Sequence, residues 1–417
     1  ILNNRGALFL KQESPRRALN TLTSALELAP GLPDAHFNIG LVHARLGHHV
    51  KATAAFARAA ELGFEHVDLD VAQGLSLRAQ NRYAQARTAF DRAVRAAPQR
   101  ADLHLHRGEV LRAMGSLDSA LSSFDMVVRL DSSIGAAHRY RGELLAAAGD
   151  QQQAASAYAK AVRIDGADVT ALVGQAEALR RLEEYAEATA ALQQAVSHAP
   201  RMSRAYYVLA SVAEGAGDQQ LAAMARQSFK RLTEAQRYFD QGQVYARRGQ
   251  FDDADVELSR AIGLDPDFAD AWLRLGALRL ENDQPAAALE VLQHLALQRP
   301  GYPEVHNLIG EAWLQIGHHD SALVAFGTSL VSNPSSVAAH IGSGRAHFAE
   351  KRFTEAQTEF RRALDLNPDE HEGYYFLGLV YAHQGRTREA VSSIEQCLAV
   401  KPNHVEAHYH LGRILSG

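Results

Sequence analysis

The stretch HFNIGLVHARLGHH, residues 36–49, holds four histidines in fourteen residues. Imidazole is the commonest metal ligand and titrates near neutrality, so a metal or acid/base site is the first chemistry to test. His36 and His43 are seven residues apart, roughly 10 Å along a helix, whereas zinc needs each ligating nitrogen at ~2 Å. The same test disposes of His404 and His408, an i,i+4 pair whose first member precedes the expected helix. GSGRAH (342–347) has the look of a phosphate loop but lacks the preceding strand and the full spacing. The single cysteine, Cys397, excludes an internal disulfide framework and a CxxC motif, and its place in a helical pattern reads as a buried structural thiol. No HExxH, GxSxG or P-loop is present. No catalytic, cofactor-binding or metal-ligating residue is assigned.

What positions these residues is a period. Pro266, Pro300, Pro334, Pro368 and Pro402 recur every 34 residues, and Pro30, Pro98 and Pro200 keep the same beat at multiples of it. Gly6, Gly40, Gly74, Gly108 and Gly142 recur at 34. Ala176 and Ala210 follow, then, after a two-residue slip, Gly242, Gly276, Gly310, Gly344, Gly378 and Gly412. Twelve residues after each of the first twelve stands an alanine: Ala18, Ala52, Ala86, Ala120, Ala154, Ala188, Ala222, Ala254, Ala288, Ala322, Ala356 and Ala390. Four residues further is a large apolar side chain such as Phe56, Phe90, Phe124, Tyr158, Phe326 or Phe360, with Arg226 the exception. A step of four is helical. Each unit therefore reads as two helices, brought close at the small residues, with a mid-unit glycine ending the first and proline closing the second.

The unit resembles the tetratricopeptide repeat, W-x2-L-G-x2-Y, A-x3-F, P. WLRLG (272–276) with Ala288, Leu292 and Pro300 carries the pattern, as does YYFLGLVY (374–381) with Ala390 and Pro402. The resemblance implies an all-α fold, a right-handed superhelical solenoid of antiparallel helix pairs. About twelve units plus a final helix make about twenty-five helices. HEAT and armadillo units are longer, and the helical RNA-reading repeats carry base-reading positions not found here. If the small residue of the first helix is slot 8, His36, His104, His138, His306, His340 and His408 all occupy slot 4, the tryptophan position. His43 and His347 occupy slot 11, the tyrosine position. The cluster is then a set of repeat positions in which imidazole replaces an amphipathic ring.

In the seventh unit no proline or glycine occurs from Gln219 to Gln241. A very short turn or a helix running through the junction is expected there, and with it a division into residues 1–234 (units 1 to 7) and 235–417 (units 8 to 12 and a terminal helix). In the final helix, Tyr409, Leu411, Ile414 and Leu415 leave the outer face only partly polar. More chain following, or docking on another copy, are both expectations of that face.

By analogy with the family, slots 2, 5, 9 and 12 of the first helices face a groove. Slot 5 carries Phe37, Tyr207, Phe239 and Tyr375; slot 9 carries Glu109, Glu143, Glu177 and Glu311. These eight are the candidate partner-binding residues, aromatic anchors and acidic rungs for an extended, somewhat basic peptide. The competing reading is pairing within a helix: Glu109 with Arg112, Arg139 with Glu143, Glu177 with Arg180. A lysine at slot 5 with asparagine at slot 9, the peptide-carboxylate clamp of chaperone adaptors, occurs in no unit.

Net charge of −5 disfavours nucleic acid, whose binders neutralise phosphates. No run approaches the ~18 apolar residues of a membrane span, so direct membrane insertion is not expected. Arginine outnumbers lysine throughout, a bacterial-like, GC-rich bias. The expected function is a non-catalytic scaffold binding a protein or extended peptide in the groove or at the array ends, with self-association possible. A self-assembling or export-machinery module, and the repeat portion of a larger enzyme, are the alternatives. Compartment and partner are not legible.

Overall fold

The computed structural model describes residues 1–12 and 14–416. They form twenty-four helices and, among the described residues, no strand. First helices are mostly thirteen residues, as in Ala101–Ala113, and second helices fourteen, as in Leu117–Leu130. The expected twenty-five becomes twenty-four for one reason: Gln219–Arg247 is a single helix of 29 residues. It fuses the second helix of the seventh unit to the first helix of the eighth, because nothing between them breaks a helix. At other junctions the residue before proline is forced extended (Asn333 φ −139°, ψ 87°; Asn367 φ −129°, ψ 101°) and the second helix ends there.

The packing follows the small-residue beat. All twelve periodic alanines, Ala18 through Ala390, have 0% exposure. A Cβ placed on Gly74, Gly108 or Gly344 would meet the ring of Phe90, Phe124 or Phe360 at under 3 Å. Glycine there is a requirement of packing, since in these units the aromatic four residues after the alanine lies directly against the first helix's backbone. Phe56, Phe90, Phe124, Phe326 and Phe360 are wholly buried. Where the pattern lapses, at Arg226, the side chain leaves the core and pairs with Glu214.

From Pro33–Arg45 to His371–His383, the first helices end in a tight turn with a left-handed residue. It is glycine at Gly47, Gly115, Gly149, Gly217, Gly249, Gly317 and Gly385, but Asn81, Glu183, Asp283 and Lys351 hold the same conformation at φ between 56° and 65°. The next backbone amide then reaches back to the first helix, as Ser116 N does to Leu111 O at 2.9 Å.

Tertiary contacts group the chain into two compact units: Ser24–Glu234, and Ala235–Gly417 together with Ile1–Thr23. The first 23 residues join the second group through Arg17, 3.5 Å from Asp365, and Arg16, stacked 5.1 Å from the centroid of Tyr374. Successive helices pack on one another from Pro33–Arg45 to Ser203–Gly215 and from Phe251–Leu264 to Val405–Ser416, and several first helices also touch the first helices of adjacent repeats. The first-helix layer is therefore the closely spaced side of each stack. No described helix is long and apolar enough to cross a membrane.

Candidate partner-binding face

A thirteen-residue helix buries slots 3, 4, 7, 8, 10 and 11 against its own second helix and its neighbours. In Ala101–Ala113 these include Leu103, His104, Gly108, Val110 and Leu111. Slots 2, 5, 9 and 12 remain on the opposite side, and on that side charges from successive repeats meet.

In residues 24–234 the slot-9 glutamates form a ladder between repeats. Glu109 accepts from Arg78 of the preceding repeat, from His106 Nδ1 at 3.3 Å, and from the Tyr140 hydroxyl of the next repeat at 3.3 Å. Glu143 lies 3.4 Å from Arg112 of the preceding repeat and 3.6 Å from Arg139 of its own. Arg139 also donates to Asp168 at 3.0 Å. Glu177 takes two bonds from Arg204 Nη2, at 2.8 and 3.0 Å. In the other unit Glu311 holds Arg345 Nη1 at 2.8 and 2.9 Å. Of the within-helix pairs expected, Arg139 with Glu143 alone forms among the described residues. Arg112 reaches forward to the next repeat and Glu177 takes Arg204, because stacked first helices bring a neighbouring repeat's guanidinium as close as the next helical turn does.

Burial pushes the Glu109 carboxyl up, but His106 and Arg78 outweigh it and hold the group below the usual carboxylate range. At Glu311 burial wins over Arg345 and its carboxyl is raised. The bond to Glu177 raises Arg204. Each of the four rungs is thus a carboxylate matched by a neighbouring guanidinium and not a bare charge.

The aromatic candidates divide. Phe37 stacks on Phe64 at 4.6 Å and tilts against Phe56 at 5.8 Å. Phe239 packs 4.8 Å from Phe268, and Tyr375 lies 4.9 Å from His404. These three are half-buried parts of inter-helix joints. Tyr207 is 62% exposed, with Phe229 at 5.6 Å beside it.

The slot-4 histidines share one bond. His36, His104, His306, His340 and His408 each place Nε2 2.8–3.1 Å from the carbonyl of a proline six residues earlier, and His138 does so to Ser132. Trp272 donates its indole N–H to Pro266 O in the same way at 2.8 Å. A carbonyl only accepts, so in each ring Nε2 carries a proton and ties the inter-repeat turn to the next helix; at His340 the other ring nitrogen, Nδ1, lies 2.6 Å from the Glu359 carboxylate, so that ring faces an acceptor on both sides. Among the described residues no group of three or more His, Cys, Asp or Glu is placed to hold a metal. Burial pushes the Cys397 thiol up to about 11, away from thiolate chemistry.

A feature the sequence reading missed lies at the C-terminal ends of the last first helices. Phe348, Leu379, Ala382, His383, His410 and Arg413 line a groove of about 420 Å³. His383 stacks on Phe353 at 5.3 Å and meets Phe348 edge-on at 5.4 Å. Burial, with Arg413 and His383 nearby, lowers the pKa of His410. The missed signal was Arg413, His383 and His410 at slots 9, 13 and 6 of the last two first helices.

Models of the tetratricopeptide repeat match residues 3–63, 71–134, 113–169, 173–228, 307–369 and 341–392, and another model of the same description matches 245–312. No curated protein sequence matches. Among solved structures, the APC/C hetero-tetramer Cut9–Hcn1 is similar over 98% of this chain and 95% of that one, at 15% identity and a TM-score of 0.42. Yeast Tom70 is similar over 100% and 95%, at 16% and 0.39. A thermophilic TPR protein of Thermus thermophilus matches along its whole length over 44% of this chain, at 21% and 0.40. The repeat models cover most of the sequence, and the chain belongs to the tetratricopeptide repeat family.

Proposed function

We propose that the chain is a non-catalytic scaffold that holds an extended segment of a partner protein along the first-helix layer. The repeat fold is one typical of protein–protein interaction, and the proposal adds the face and the mode. The observation that carries it is Tyr207. A tyrosine 62% exposed at slot 5 contributes little to its own core, while an aromatic ring on an open face is a strong anchor for a partner. Beside it, Glu177 and Arg204 are already fixed by each other, so a partner meets a wall that loses little side-chain freedom on binding. Because the rungs are matched charges, the partner that suits this face offers hydrogen-bonding backbone and apolar side chains; excess positive charge is not needed.

The test is photo-crosslinking in cells expressing the chain. A benzophenone side chain at Tyr207 should give a discrete crosslinked species, and one at Thr88, on a second helix, should not. Equal yields from both positions, or none from Tyr207, would end the proposal.

Self-association through the final helix, Val405–Ser416, is a second reading. It draws on Val405, Tyr409 and Leu415, which are 74%, 62% and 67% exposed. Light scattering that finds a concentration-independent monomer would remove it.

A further inference from the structure

Along slot 9 of the last four first helices stand Glu311, Arg345, Leu379 and Arg413. The first two are bound to each other. Arg413 is exposed and has no carboxylate partner among the described residues; its one ring contact is Tyr409 at 5.9 Å. His383 and His410, which line the same groove, have no carboxylate partner there either. This contrasts with Arg78, Arg112, Arg139, Arg204 and Arg345, each of which has a glutamate within 3.6 Å on the same layer.

The helix carboxyl ends account for part of this. Partial negative charge there favours a cation, and His383 is the last residue of His371–His383. A helix end supplies only a fraction of a charge, however, and it offers no planar acceptor to a guanidinium fork. The apolar floor is continuous with the cations: Phe348 lies against Phe353 at 5.7 Å and Phe376 at 6.4 Å, with Leu379 and Ala382 beside it.

We propose that this groove binds a partner peptide in which an Asp or Glu side chain, or a terminal carboxylate, adjoins a bulky apolar residue. The apolar side chain lies against Phe348, Leu379 and Ala382, and the carboxylate meets Arg413, with His383 and His410 flanking it. The argument for this occupant is charge complementarity: the Arg413 guanidinium, flanked by the hydrogen-bonding rings of His383 and His410, faces an apolar groove with no acid of the chain's own among the residues that line it. The assignment rests on the scaffold reading and narrows it, giving this end of the layer a preference for acid where the Glu–Arg ladder has none.

The test is selection from a displayed random peptide library on the full chain, run in parallel on wild type, Arg413→Glu and His383→Gln. Circular dichroism would first establish that each variant is folded; Arg413 is exposed, and its replacement should leave the helices intact. Wild type should enrich peptides with Asp, Glu or a free carboxyl end next to Leu, Ile, Phe or Trp. Their recovery should fall at least tenfold on Arg413→Glu and less on His383→Gln. Enriched peptides that are basic or uncharged, or acidic peptides recovered equally on Arg413→Glu, overturn this assignment. Either result leaves the scaffold reading to stand or fall on the Tyr207 crosslink. An unenriched library overturns the assignment as well, and the scaffold reading is still decided by the Tyr207 crosslink alone.

Discussion

Lys351 shows how strongly this array constrains single residues. It occupies the left-handed turn position that glycine fills in seven other repeats, with φ 58°. A side chain with a Cβ is strained there by roughly 1–2 kcal/mol, and glycine returns about 0.5–1 kcal/mol of that as lost chain entropy. Lys351→Gly should therefore stabilise the protein by up to about 1 kcal/mol, seen as a higher denaturation midpoint with unchanged helix content. A lower midpoint would mean that the lysine makes a favourable contact large enough to offset the strain. The histidines show how much of a site a sequence exposes. Their repeat position was legible from spacing alone, and with it their structural role. The bond from Nε2 to a proline carbonyl was not, because it depends on how the turn places that carbonyl over the next helix. The same limit applied to the glutamates. Spacing shows which charges share a helix face, and it does not show that Arg78 of one repeat lies nearer to Glu109 than Arg112 does.

At the scale of the helix pair, one device repeats: a small residue on the first helix, an alanine on the second, and a ring closing the space between them. Ala322 and Phe326 are both fully buried, and Phe326 presses on the backbone at Gly310 and Gly342. Ala322→Leu adds three carbons where no gap exists, so it should cost about 1–3 kcal/mol by overpacking. Thermal melting checks this, and an unchanged transition would place Ala322 outside the joint. This device was readable in advance because it is spelled in residue types at fixed steps. The long helix Gln219–Arg247 was readable as one of two outcomes, since deleting two residues and every helix breaker from a junction permits either a cramped turn or continuation. Continuation keeps each backbone amide bonded to a carbonyl one turn back, which a two-residue-short turn could not do as fully. The groove near Arg413 escaped notice for the opposite reason. Its residues come from three successive repeats and from slots 6, 9, 12 and 13, and no single repeat shows the pattern.

Across the whole chain, stability is distributed and not pooled. Each repeat shares its core with the repeats before and after it, and the buried clusters follow the chain in sequence order: one centres on Phe90 with Leu77, Ala86 and Val110, another on Phe360 with Tyr374, Leu377 and Tyr381. An array of this kind behaves as a sum of repeat and neighbour terms, so local opening need not involve remote repeats. Phe90→Ala makes this measurable. Removing a fully buried phenylalanine costs about 3–5 kcal/mol at its site, enough to unlatch the helix pair it joins. Hydrogen exchange should accelerate in Val67–Ala79, Tyr83–Ala96 and Ala101–Ala113 and keep its wild-type rate in His371–His383 and Thr387–Val400. A uniform acceleration along the chain would show one cooperative core in place of a chain of joints. It would also change how the proposed binding face has to be understood. In a distributed array a partner bracing the Glu–Arg ladder, as proposed, would stiffen only the repeats it touches, and the proposed groove at Phe348 and Arg413 would be independent of it. In a single cooperative unit the two faces would be coupled, and occupation of one would alter the other.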